Sequence, residues 1–125
     1  MASIIQLTSG QPVIVTAAPT FQPLFEAIDI SGFDILDLEL GVVGLVGGGS
    51  ATIKVVTGMQ TQVEDASWVT AIAFTAVSTS PSYELITKNL GLLRYVRWEV
   101  SALSGTTPSV TFWIRGMARK YSCNG

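Results

Sequence analysis

The sequence predicts an all-β fold, a two-sheet antiparallel β-sandwich of jelly-roll-like character with about eight strands. Three observations predict it. Val, Ile, Thr, Phe, Trp and Tyr fill the ordered-looking stretches, and Gly, Pro and Ser punctuate them. Several stretches alternate apolar and polar residues with period two, as a strand does when one face meets a core and the other meets water. The chain has 125 residues, enough for a single domain, and carries no long linker and no internal repeat.

Each element follows from local chemistry. Ile4 to Leu7 predicts a short strand, followed by the turn Thr8-Ser9-Gly10-Gln11. Val13 to Thr16 is the next strand, with Pro12 acceptable at its first position. Pro19 and Pro23 mark an extended connection, so the stretch 1–25, whose residues carry no charge, is expected as an extended N-terminal arm. Phe25 to Ile30 reads as a strand and Ser31-Gly32 as a turn. From Phe33 to Val46 the alternation is strong: Leu36, Leu38 and Leu40 point one way, Asp37 and Glu39 the other. Gly47-Gly48-Gly49-Ser50 is expected as a flexible loop, with Ala51 to Thr57 returning as the second strand of a hairpin.

Gln60 to Ser67 is polar and reads as a loop containing Glu64 and Asp65. Trp68 to Ala76 is a strand with Trp68, Thr70, Ile72 and Phe74 expected on one face. Ser78 to Ser82 turns around Pro81, Tyr83 to Thr87 is a brief strand, and Asn89-Leu90-Gly91 is a further turn. The last two strands are expected to form an antiparallel hairpin, Arg94 to Val100 and Ser109 to Gly116, joined through Ser104-Gly105-Thr106-Thr107-Pro108. Val96, Trp98, Val100, Val110, Phe112 and Ile114 fall on its apolar face and, with Leu36, Leu38, Leu40, Ile72 and Phe74, form the predicted core. Tyr95, Arg97, Glu99, Thr111, Trp113 and Arg115 fall on the opposite face. Arginine among aromatic rings covers a sheet well and equally makes an interface hot spot.

Composition restricts the function. No histidine occurs, and 13% of residues are charged, against about 25% in ordinary soluble domains. Mean hydropathy is +0.48. Nucleophilic catalysis usually pairs Ser or Cys with a base, and no His is present to serve. Asp34, Asp37 and Glu39 cluster in sequence, but Asp37 and Glu39 sit on the outer side of one strand, where charge is expected anyway. The chain therefore reads as no enzyme. Gly47 to Gly49 is followed by a strand, not by Gly-Lys-Ser/Thr and a helix, so it makes no phosphate-binding loop. Glu64-Asp65 lacks the spaced oxygen donors of a calcium loop. Cys123 is the single cysteine and forms neither an internal disulfide nor a metal site alone. No metal or other cofactor is expected.

A net charge of −2 opposes nucleic-acid binding, which needs a cationic field. The apolar stretches are too short or too broken by Gly, Gln and Pro for a secretory signal or a membrane helix. So few charges on so apolar a chain suit surfaces that end up covered by other proteins.

The stretch Leu93-Arg94-Tyr95-Val96-Arg97-Trp98-Glu99-Val100 resembles the aryl-Val-Arg strand of discoidin-type β-sandwiches. The longer run from Leu92 to Val100 and Leu103 to Phe112, with Trp68 and Phe74 upstream, is similar to small structural proteins of tailed bacteriophages, which carry a "W…F…RYxRW…GT(S/T)PSxTF" layout. The second resemblance implies a virion protein. Some of those proteins are of the capsid decoration or cement type, and others are minor virion proteins. The decoration type, assembled in the host cytoplasm, is expected. Its partners would be the major capsid protein and copies of itself, a trimer being expected. The expected contact residues are Ile4 and Ile5, the Gly47, Gly48 and Gly49 loop, and Tyr95, Arg97, Trp113 and Arg115. The rival reading is a carbohydrate- or surface-binding module of a tail, fibre or baseplate, with Tyr95, Trp113 and Trp68 as stacking platforms.

Overall fold

The computed structural model describes residues 2–8, 10–59, 61, 67–89 and 91–120. Glu64, Asp65 and Cys123 lie outside the described residues. Eight strands form among them: β1 (Ala2–Gln6), β2 (Val13–Val15), β3 (Thr20–Phe21), β4 (Ile28–Asp29), β5 (Ile35–Gly58), β6 (Val69–Ala73), β7 (Ser82–Asn89) and β8 (Tyr95–Arg119). They belong to one sheet, every pairing is antiparallel, and the all-β expectation holds.

Two long strands organise everything. β5 has 24 residues and β8 has 25, and they pair from Ile35↔Arg119 through to Gly58↔Tyr95. The outer flank of β5 takes β7 along residues 35–42 and β6 along residues 54–57. The outer flank of β8 takes β1, β2, β3 and β4 in turn. The uncharged N-terminal stretch is thus extended, but it runs along this chain's own β8.

The sheet curls so that the two halves of the β5/β8 ribbon face each other. Trp98 and Phe112 are both on β8, and fourteen residues of straight strand would separate them by roughly 46 Å. Their ring centroids are 5.2 Å apart, edge to face. Between the halves lies a single apolar core that includes Leu36, Leu38, Leu40, Val42, Ile53, Val55, Ile72, Phe74, Val96, Trp98, Val100, Val110, Phe112 and Ile114. Every residue of the predicted core is buried. The arrangement is sandwich-like, although a single curled sheet supplies both layers.

This curl corrects two expectations. Gly47-Gly48-Gly49-Ser50 is not a hairpin tip, and Ser104 to Pro108 does not reverse the chain; both lie inside the long strands and pair with each other at Gly48↔Gly105. The register shifts between Val42 and Gly44, Val46 and Gly48, Gly48 and Ala51, and Thr52 and Ile53. Such bulges add residues to one strand and bend the pair. At Gly47, Gly49 and Gly105 the strands approach too closely for a side chain. A Cβ on Gly47 would sit 2.8 Å from the Thr106 carbonyl oxygen, and one on Gly49 would overlap the carbonyl of Ser104.

Two smaller corrections concern single elements. Phe25 to Ile30 is not one strand: Leu24–Glu26 forms a 3₁₀ turn and only Ile28–Asp29 pairs. Trp68, Thr70, Ile72 and Phe74 do not share a face. Val55 pairs with Ile72 but Val56 pairs with Thr70, so Ala71 is an extra residue that flips the alternation. Ile72 and Phe74 therefore enter the core, and Trp68 goes to the outer side, where it lies against Gly58.

Candidate interaction surface

The half of the sheet built from β1, β8, β5 and β7 has one face in the core and one turned outward. Residues opposite one another across these strands share a face. The pairings Ile4↔Met117, Met117↔Asp37 and Asp37↔Thr87 define one outer row. Gln6↔Arg115, Arg115↔Glu39 and Glu39↔Leu85 define the next, and Trp113↔Gly41 and Gly41↔Tyr83 a third. This face exposes large apolar side chains: Ile4 is 77% exposed, Leu85 67%, Tyr83 59% and Met117 41%. A shallow groove runs between them, lined by Ile4, Gln6, Glu39, Leu85, Arg115 and Met117.

Gly41 shapes the third row of the face. The Trp113 indole lies across it, where a Cβ would collide with the ring. Tyr83 approaches from the β7 side, its ring centroid 6.1 Å from that of Trp113. The Arg115 guanidinium covers the indole at 4.1 Å from its centroid, and its Nε is 4.0 Å from the Glu39 carboxylate. Arg119 Nε donates to Asp37 Oδ2 at 2.7 Å, and the Thr87 hydroxyl donates to Asp37 Oδ1 at 2.7 Å. The Arg119 hydrogen bond, followed by that from Thr87, holds the Asp37 carboxyl below its ordinary range, and Asp37 in turn raises Arg119. The two carboxylates of this face are thus occupied by arginines, and the face as a whole balances its charges.

The second outer face, over the Ile53–Gly58 half of β5, is closed. Arg97 is 1% exposed. Its guanidinium lies 4.6 Å from the ring centroids of both Phe21 and Trp68, and Nη1 donates to the Gln22 carbonyl at 2.7 Å. The buried Gln22 side chain donates to the carbonyls of Leu7 and Glu26 and accepts from the Trp98 N–H. Glu99 is buried beside Lys54, 3.5 Å away.

The sequence-predicted contact residues therefore separate. Ile4, Trp113 and Arg115 come together on the open face. Ile5 points into the core. Arg97 belongs to the buried clamp, because the curl of β8 places it on the opposite half from Arg115. Tyr95 is half-buried with the Arg94 guanidinium 5.0 Å from its centroid. Gly47, Gly48 and Gly49 form the bend and lie apart from the patch. Sequence reasoning missed Tyr83, Leu85 and Met117. Met117 continues the alternation of Trp113 and Arg115, which was the available signal; in β7 apolar residues occupy both alternating sets, which hides the outward one.

Among the described residues no group of three or more acidic, His or Cys side chains is placed to hold a metal ion, and no helix is long and apolar enough to cross a membrane. Comparison with family models, curated proteins and solved structures finds no match.

Proposed function

We propose that the chain is a non-enzymatic virion structural protein that binds and stabilises a capsid shell, in the manner of a decoration or cement protein. The observation that carries the assembly part of this reading is the open face. Trp113, Tyr83 and Arg115 are the residue types that dominate binding hot spots. They occupy two adjacent rows of the face, with Leu85, Met117 and Ile4 in the same row as Arg115 or the next one beyond it. The virion part rests on the bacteriophage-like layout of residues 92–112. Binding only the assembled shell would stabilise it by mass action, with no chemistry required.

The rings proposed as sugar platforms have a face covered: Trp113 lies between Gly41 and Arg115, Trp68 stacks on Arg97, and Tyr95 carries Arg94. Sugar stacking needs an open ring face. A protein contact can instead use the half-buried Trp113 edge together with the Arg115 guanidinium that covers it, and the shell-binding reading is preferred on that ground. Ile4→Lys combined with Leu85→Lys tests it, since both side chains are exposed and neither change sets like charges directly opposite each other, Leu85 facing Glu39 and Ile4 facing Met117. The double variant should melt like the parent and fail to co-sediment with capsid particles. Normal co-sedimentation would remove this face as the contact.

A further inference from the structure

We infer that β7 is a self-pairing edge, through which two copies of the chain join their sheets about a two-fold axis. The inference names the self-association surface and is separable from shell binding. β7 pairs with β5 on one side, and no other strand pairs with it among the described residues. Its eight residues, Ser82-Tyr83-Glu84-Leu85-Ile86-Thr87-Lys88-Asn89, form an unbroken ladder with β5 without a bulge. They include neither Pro nor Gly. A regular edge strand offers a row of backbone donors and acceptors to another chain, and natural edges blunt it with bulges, prolines or charges. The two charges of β7, Glu84 and Lys88, have opposite signs and lie on its inward-facing set with Ile86, so they oppose a second copy only in registers that leave them unmatched.

Self-complementarity selects the occupant. A two-fold axis normal to the sheet keeps the outward side of both copies on one side, so only residues of the same face can oppose each other. Two central registers satisfy this. Centring on Leu85 sets Glu84 against Ile86 and Lys88 against Ser82, which leaves both charges without a counterpart. Centring on Ile86 sets Ile86 against itself, Leu85 against Thr87, and Glu84 against Lys88 on each side of the axis. Opposite charges directly across a strand pair favour the pairing, and like charges oppose it. In each copy Glu84 already accepts from the Thr75 N–H and hydroxyl at 2.7 and 2.9 Å, which fixes the carboxylate at the edge for an incoming ammonium. A contact of this symmetry closes at two copies, where the sequence alone had led us to expect three.

The test uses the full chain with Cys123→Ser. Ile86→Cys should yield a disulfide-linked dimer on mild oxidation, because facing residues in an antiparallel pair lie within disulfide reach. Leu85→Cys should cross-link poorly. Lys88→Glu places like charges opposite each other twice and should weaken dimerisation about tenfold in sedimentation equilibrium. Glu84→Lys together with Lys88→Glu should restore it. Sedimentation of the unmodified protein as a monomer at high concentration would overturn the inference. So would preferential cross-linking at position 85, or cross-linking of position 86 to a capsid subunit. Shell binding by the Lys88→Glu protein should be retained, so loss of the dimer and loss of the open-face contact are told apart.

Discussion

Arg97 shows how a charged side chain can serve the fold in place of a partner. Its guanidinium is packed between two rings and bonded to a backbone carbonyl. A desolvated cation–π contact contributes about 2 kcal/mol, and a hydrogen bond to a charged group about 1.5–3 kcal/mol. Arg97→Ala should therefore cost roughly 3 kcal/mol or more in urea denaturation. Arg97→Lys should recover part of that, since an ammonium lacks the planar stack. Trp98→Ala removes the ring that joins the two halves and should cost about 3–5 kcal/mol. The acid behaviour of the open face has a definite sign. Asp37 has a lowered pKa in the folded state, so its contribution is fully present above the ordinary aspartate value near 3.9. That contribution is lost as pH falls through the lowered folded value. Asp37→Asn should thus melt below the parent at neutral pH, with the gap narrowing as the pH is taken below about 3.9.

At the scale of elements, the bend in the β5/β8 ribbon makes the most specific demand. Gly49 faces the Ser104 carbonyl and has no room for a methyl group, whereas a Cβ on Gly44 would meet Thr111 at an ordinary 3.5 Å. Gly49→Ala should destabilise by about 2 kcal/mol or more through displaced backbone. Gly44→Ala should stay within about 0.5 kcal/mol of the parent. Equal effects at both sites in thermal melts would contradict the bend as the reason for glycine here. The same region marks where sequence reading stopped. Period-two alternation in Leu36 to Leu40, Val96 to Val100 and Val110 to Ile114 was legible because it is a local property. Gly47 to Ser50 and Ser104 to Pro108 have the composition of turns, and they do bend the chain. Whether a bend reverses a strand or folds a ribbon depends on which distant segment pairs with it, and 48↔105 is not a local relation. Ala71 is the same case on a smaller scale. One bulge, invisible in composition, moved Trp68 and Thr70 to the other side.

Across the whole molecule, the strand content and the core were readable, and the surface was readable only in part. Of the expected contact pair Ile4 and Ile5 only Ile4 is exposed, while Trp113 and Arg115 lie on the outward face as their alternation predicts. Grouping Arg97 with them failed because a doubled-over strand separates residues of equal parity onto opposite halves. The sparse charge of the chain goes with a core shared between two halves and with an open face that exposes Ile4, Tyr83, Leu85 and Met117. We propose that a shell covers this face. Hydroxyl-radical footprinting of the protein, free and bound to capsid particles, tests it most directly. We expect Tyr83, Trp113 and Met117 to be labelled in the free protein and protected on the particle, with Trp68 and Trp98 weakly labelled in both. Equal labelling of Tyr83, Trp113 and Met117 in the two states would contradict it.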